Sequence, residues 1–167
     1  NERRAQCEAV ATALGVPALR DADMAMLNAA AERLDPMAMA RARHVITENE
    51  RVIEAAGALA AGDLARMGVL MATSHASMRD DFAITTPAID ELVALLQRAI
   101  GSEGGARMTG GGFGGACVAL MPEAQVASVA QAVRAGYRTP DGGEPLIMIE
   151  RASEGASILR ADQAGSA

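Results

Sequence analysis

A run of glycines late in the sequence is the segment best suited to chemistry. Residues 110–115 hold five of the chain's 17 glycines in six positions, a density that costs conformational entropy on folding. Because glycine lacks a Cβ, such a segment can bring backbone N–H groups close to an anion or to a second loop. An ordinary hairpin needs only one or two glycines, so the excess favours a functional loop over the alternative of a tight or flexible turn. We call residues 110–115 the glycine loop.

The spacing of these glycines satisfies a nucleotide-binding motif without its context. Gly110, Gly112 and Gly115 fit G-x-G-x-x-G, but a dinucleotide-binding turn opens into a helix, whereas residues 117–121 are predicted to form a strand. A protein-kinase glycine loop requires a strand lysine and the H-R-D and D-F-G motifs, which are lacking here. All 15 positive residues are Arg, so P-loop and Schiff-base lysines are excluded as well.

Other polar residues have a functional and a structural interpretation. Arg107, beside the loop, could lend charge to phosphate oxygens, and a structural ion pair is an equal alternative. The adjacent carboxylates of Asp80 and Asp81 could act as a general base or a Mg²⁺ ligand, but loop capping and solvation are favoured. His75 and His44 lack spaced partners for a metal site, so both are predicted to be packed or structural residues. Three glutamates are expected to form a solvated or paired helix face: Glu48, Glu50 and Glu54.

The first 100 residues are predicted to be helical, because apolar residues recur at helical spacing between helix-terminus signals. Signals for the start of a helix occur at Asp35 with Pro36, at Asp63, and at Thr86 with Pro87. Signals for the end of a helix occur at Gly15, Gly62 and Gly101. The predicted helices are 2–14, 23–34, 36–61, 64–76 and 88–100, with a connecting loop at 77–85.

Residues beyond 104 change to strand-length runs bounded by Gly or Pro. The predicted strands are 106–108, 117–121 and 146–150, with a helix at 122–137 and a turn at 139–145. Helices followed by a small sheet with hairpin-like connections indicate an α+β fold, a helix-rich two-layer domain with a mainly antiparallel sheet. One domain is expected over residues 1–160, with a disordered tail at 161–167.

Charge and composition restrict the partners. A net charge of -6 argues against binding nucleic acid through its phosphates. No apolar stretch reaches the roughly 20 residues of a membrane helix, so no membrane partner is expected. Cys7 and Cys117 are too few for a disulfide framework, and no leading apolar segment suggests secretion, so a cytoplasmic location is expected.

Several segments together resemble galactokinases, members of the GHMP small-molecule kinases. Residues 105–109 (GARMT) running into the glycine loop look like the third signature motif of that family. Further segments are similar to galactokinases in the same order: 3–8 (RRAQCE), 19–21 (LRD), 41–45 (RARHV), 48–51 (ENER) and 74–82 (SHASMRDDF). Other GHMP kinases share the glycine loop in looser form, so these flanking segments narrow the resemblance to galactokinases.

This resemblance implies the C-terminal, ferredoxin-like domain of an enzyme that transfers the γ-phosphoryl group of ATP to the C1 hydroxyl of α-D-galactose. It places the catalytic Asp, the main phosphate loop and the Mg²⁺ ligands upstream of Asn1, so no catalytic residue, metal ligand, bound ATP or activity is expected in this chain alone. The expected cleft-lining residues are Thr109, Gly110, Gly111, Gly112, Phe113, Gly114 and Gly115, with Arg107 beside them.

Two other functions stay open at this stage. A galactokinase-like protein can serve as a non-catalytic sugar sensor, which the sequence upstream of Asn1 would reveal. The fold can also serve as a free-standing binding or dimerisation module. In the enzyme interpretation, galactose and ATP are bound through the missing N-terminal domain. The exposed interdomain face is then a surface for self-association, because half of the residues are hydrophobic.

Overall fold

The computed structural model describes residues 2–153 and 155 as six α-helices and one two-stranded sheet. The helices are α1 (Glu2–Leu14), α2 (Met24–Ala29), α3 (Pro36–Ala60), α4 (Leu64–Asp80), α5 (Pro87–Ile100) and α6 (Glu123–Gly136). The strands are β1 (Gly105–Thr109) and β2 (Ala116–Leu120), which pair antiparallel with Thr109 opposite Ala116. The glycine loop therefore joins the two strands of a hairpin. The predicted tail at 161–167 lies outside the described residues.

Capping side chains set the helix starts, as predicted. Asp35 accepts hydrogen bonds from the backbone N–H groups of Met37 and Ala38, both at 3.0 Å. Asp63 accepts one from Arg66 N at 2.9 Å, and Thr86 accepts one from Ile89 N at 3.4 Å. At the other ends, Gly15, Gly62 and Gly101 have positive φ, the backbone region that glycine enters without strain.

The core consists of apolar clusters between neighbouring elements. One lies among α1, α2 and α3, and a second lies among α5, α6 and the sheet. Smaller clusters join α3 to α4 and α4 to α5 and β1. Met24 and Met39 pack against the first cluster, while Met37 is 52% exposed. The α+β prediction, helix-rich with a small antiparallel sheet, is confirmed.

The predicted connecting loop at 77–85 is wrong in its first part, because α4 continues to Asp80. Ser77 and Met78 are both buried, and their burial against α3 and the core stabilises the added turn. The predicted helix at 23–34 is divided into α2 and a 3₁₀ turn, Ala31–Arg33. Ala30 N donates to Leu27 O, three residues back, which tightens the chain at that point.

The predicted third strand at 146–150 is also wrong, since these residues have no regular secondary structure. Ile147 packs against the cluster formed by α5, α6 and the sheet, but Leu146 and Met148 are 87% and 75% exposed. The run has the length of a strand, but residues 146–150 form no backbone ladder with a described strand.

Candidate functional site

The glycine loop is anchored at its middle and open at its ends. A Cβ at position 112 would lie 2.8 Å from Ile84 Cβ and 2.9 Å from the Ile84 carbonyl oxygen, so only glycine fits there. The next residue, Phe113, donates its backbone N–H to that carbonyl at 2.6 Å. By contrast, a Cβ at Gly110, Gly111 or Gly114 would meet nothing within 4 Å. The loop is therefore docked against the connection between α4 and α5 rather than free in solvent.

Backbone conformation explains most of the glycine content. Gly110, Gly112, Gly114 and Gly115 all have φ between +85° and +122°, which side chains with a Cβ rarely adopt. Phe113 has φ of +60° as well, so a non-glycine residue is held in a left-handed conformation at the loop's tip. In a run of such residues the backbone N–H groups are not arranged in a regular strand ladder. They are therefore able to approach and bind a negatively charged group of a substrate.

The C-terminal end of the loop borders a cavity of about 620 Å³. Its lining includes Gly114, Gly115 and Thr86, with aliphatic residues of α5 and α6 and residues 145–150 behind them. Glu150 is the only charged side chain in that lining. The polar face that the loop presents is its own backbone.

Arg107 belongs to a hydrogen-bonded network rather than standing free beside the loop. Its Nη1 donates to Glu48 Oε1 and to Ser74 Oγ, both at 2.7 Å. Glu48 also accepts from Arg51 Nε at 2.7 Å, and Ser74 Oγ donates to Glu48 at 2.7 Å. Burial alone would raise the pKa of Glu48, but the hydrogen bonds from Ser74, Arg51 and Arg107 outweigh it and lower that pKa. Of the two interpretations of Arg107, the structure supports the ion pair.

The remaining polar candidates are also engaged in structural contacts. His44 Nδ1 lies 2.9 Å from Ser77 Oγ, which donates to Asp81 at 3.0 Å, and Asp81 pairs with Arg43 at 2.7 Å. Asp80 pairs with the neighbouring Arg79 at 2.8 Å. Of the predicted glutamate face, Glu48 lies in the network described above and Glu54 pairs with Arg66.

His75 is buried between α4, α5 and β1. Its Nδ1 accepts a hydrogen bond from Met108 N at 3.3 Å, and its Nε2 lies 3.1 Å from Asp90 Oδ1. Burial is the main cause that lowers the pKa of His75, against the opposing charge of Asp90. The predicted packed histidine is confirmed. Within residues 2–153 and 155, no three His, Cys, Asp or Glu residues form a group that could hold a metal ion.

The cysteine nearest the loop is not an activated nucleophile. Cys117 lies on β2, and burial, with a smaller contribution from Asp90, raises the pKa of its thiol to about 11. At neutral pH this thiol is protonated.

In the part of the chain that the structure describes, no helix is both long and apolar enough to cross a membrane.

The sequence identified the glycine loop but not its anchors. Ile84 contacts Gly112, which is 28 residues away in the sequence. Arg3 contacts Phe113, which is 110 residues away. Nothing in the sequence marks Ile84 as an anchor. The group that accepts the hydrogen bond from the loop is its backbone carbonyl, which every residue has. Arg3 lies in a segment that resembles galactokinases, but nothing in that segment indicates a contact with residue 113.

The chain matches a known protein family. The family described as GHMP kinases C terminal matches residues 55–139, which include α4, α5, the hairpin and α6. The chain belongs to this family.

Within the family, the chain is galactokinase-like. It is similar to the crystal structure of Lactococcus lactis galactokinase complexed with galactose, with 33% sequence identity and a TM-score of 0.74. The match covers 81% of this chain and 36% of that chain. The chain therefore spans little more than a third of the length of the solved galactokinase.

Proposed function

We propose that this chain is the C-terminal part of a galactokinase, which transfers the γ-phosphoryl group of ATP to the C1 hydroxyl of α-D-galactose in the cytoplasm. The observation that carries the proposal is the 33% identity to a galactokinase over 81% of the chain. The anchored glycine loop supports it, because the motif that first suggested the family has a geometry that only glycine permits at Gly112.

The contribution of this chain is the wall of a cleft. Phosphoryl transfer depends on positioning two substrates and stabilising charge on the transferring group, with little covalent participation by the protein. The docked glycine loop offers backbone N–H groups in a fixed place, and the loop has room for a ligand at Gly110 and Gly114. Its role is to position the sugar and to exclude water from the side of the cleft that it forms.

ATP and Mg²⁺ are expected to act in the whole enzyme, because the charged side chains considered for them in this chain are engaged in ion pairs. Arg107 is committed to Glu48, the carboxylates of Asp80 and Asp81 are paired with arginines, and no metal-binding group occurs in residues 2–153 and 155. We therefore assign no step of the transfer to a nucleotide or metal held by this chain. Those groups belong to the upstream part of the proposed enzyme.

The experiment is a phosphorylation assay of the parent protein with ATP, Mg²⁺ and a panel of hexoses. Galactose is expected to be the preferred acceptor, with the phosphate on C1. Binding of galactose without any transfer would instead favour the sugar sensor. Titration calorimetry of this chain alone is expected to give no measurable heat with galactose or ATP, and binding of either would favour a free-standing binding module.

A further inference from the structure

Arg3, on the first turn of α1, contacts both loops of the candidate site. Its Nε donates to the Phe82 carbonyl at 2.8 Å, and its Nη2 donates to the Ala83 carbonyl at 2.6 Å. The same guanidinium lies over the Phe113 ring, with Cζ 4.7 Å from the ring centroid. One side chain therefore joins the N-terminal helix, residues 82–84 and the tip of the glycine loop.

The conformation of these loops explains why such a contact is needed. Ala83 and Phe113 are the two described non-glycine residues with positive φ, at +49° and +60°. Residues keep this unfavourable conformation only where neighbouring groups hold them in it. The Phe113 ring is 63% exposed, so burial in a core does not fix it. Its fixed contacts are the backbone hydrogen bond to Ile84 and the stacking on Arg3.

The guanidinium is suited to this double role. It is planar, so its edge can donate to two carbonyl oxygens while its face stacks on an aromatic ring. A lysine ammonium is a compact charge that cannot offer an edge and a face together. Arg3 also differs from its neighbour Arg4, which is exposed and pairs with Glu8 within α1.

We propose that Arg3 is a positioning residue that holds the glycine loop in its working conformation. The loop is then fixed from two sides, by the Ile84 carbonyl at Gly112 and Phe113 and by Arg3 at the Phe113 ring. Its effect on catalysis rests on the proposed galactokinase function, whereas its effect on the loop does not. In this proposal Arg3 acts through the loop, by its contacts with residues 82, 83 and 113.

The first arm of the test measures the loop itself. The chain contains no Trp, so Phe113→Trp introduces a single tryptophan, whose fluorescence is excited separately from that of Tyr137 and which keeps an aromatic face for Arg3. In that background, Arg3→Gln is expected to increase acrylamide quenching at least about twofold, with Arg3→Lys intermediate, because the reporter loses its stacking partner. Arg4→Gln is the matched control and is expected to leave quenching unchanged.

The circular dichroism spectrum and the melting temperature of each variant are measured to establish that it is folded. If Arg3→Gln unfolds the chain, Arg3→Lys decides the question, since it keeps the charge and most of the aliphatic stem. Unchanged quenching in a folded Arg3 variant, or an equal increase in Arg4→Gln, would overturn the proposal.

The second arm measures turnover in the parent protein. Arg3→Gln is expected to lower kcat at least about tenfold with smaller changes in the KM values, because a misplaced wall affects the transition state more than substrate capture. Arg3→Lys should recover part of kcat, and Arg4→Gln should equal the wild type. An Arg3→Gln enzyme with wild-type kcat overturns the catalytic role. If the wild-type parent does not phosphorylate galactose, the proposed function fails, and the quenching arm still decides the role of Arg3 in the loop.

Discussion

The two histidines show how burial determines the chemistry of single residues in this domain. Imidazole is the usual ligand, acid or base near neutral pH, but both residues were predicted to be packed or structural because they lack spaced partners. Each is buried in the structure, and in each the largest cause of the shift is burial, which lowers the pKa. Neutral rings that hydrogen-bond to Ser77 and to Met108 N are structural elements of the α3–α4–β1 interface.

This burial predicts a loss of stability in mild acid. The pKa values of His44 and His75 are lower in the folded chain than in the unfolded chain. As the pH falls below about 6.5, the unfolded chain therefore takes up protons first, and the free energy of unfolding decreases until the folded-state pKa values are passed. Urea denaturation at several pH values between about 7.5 and 5 measures this decrease, above the range where carboxylates titrate.

His75→Gln and His44→Gln provide the comparison for that titration. Each variant is expected to be less stable than the wild type at neutral pH and to have a shallower dependence on pH. Stability that rises on acidification through this range would contradict the assignment of both rings as buried and neutral.

At the scale of elements, the close packing of α4 against β1 depends on glycine. A Cβ at Gly68 would lie 1.9 Å from the Gly104 carbonyl oxygen, and one at Gly105 would lie 2.6 Å from Gly68 Cα. The helix and the strand thus approach each other without side chains between them. Since β1 leads directly into the glycine loop, this contact also fixes the base of the candidate site.

A pair of glycine substitutions tests this contact. Gly68→Ala is expected to destabilise the chain by about 2–3 kcal/mol, because the added methyl group has no space. Gly57→Ala, at an exposed helical position with nothing within 4 Å, is expected to stabilise it by about 0.5–1 kcal/mol. Chemical denaturation gives both values. A Gly68→Ala variant as stable as Gly57→Ala would show that α4 and β1 are not in close contact.

The elements also show what the sequence could predict. Caps and stops such as Asp35 with Pro36 and Gly62 act within a few residues, so the helices could be placed closely from local signals. The third strand failed because a strand exists only by pairing, and the run at 146–150 carries no information about its partner. The extra turn of α4 was missed for a related reason. Ser77 is polar, and its partner His44 is 33 residues away.

The whole molecule leaves an apolar groove open between α3, α4 and β2. The groove has a volume of about 350 Å³, and its rim includes Val52, Leu59 and Val118, which are 59%, 55% and 44% exposed. Since the chain corresponds to 36% of the length of the solved galactokinase, further chain is available to cover such a surface in the proposed enzyme. Exposed apolar patches of this kind favour association.

The isolated chain is therefore expected to self-associate. Sedimentation velocity over a range of concentrations should detect reversible dimers or larger species, and Leu59→Glu should shift the distribution towards monomer. Arg4→Glu serves as a control at an exposed site away from the groove. A wild-type chain that sediments as a monomer at all concentrations would contradict this expectation.

In the proposed enzyme, the glycine loop docked on Ile84 forms one wall of a galactose-phosphorylating cleft. The most direct test is the kcat of the parent protein with ATP and galactose, compared between Gly112→Ala and Gly111→Ala, with melting temperatures measured alongside. Gly111→Ala is expected to stay close to wild type, because its Cβ meets open space, and Gly112→Ala is expected to lose at least about tenfold in kcat while the fold persists. A Gly112→Ala enzyme with wild-type kcat and normal stability would contradict it.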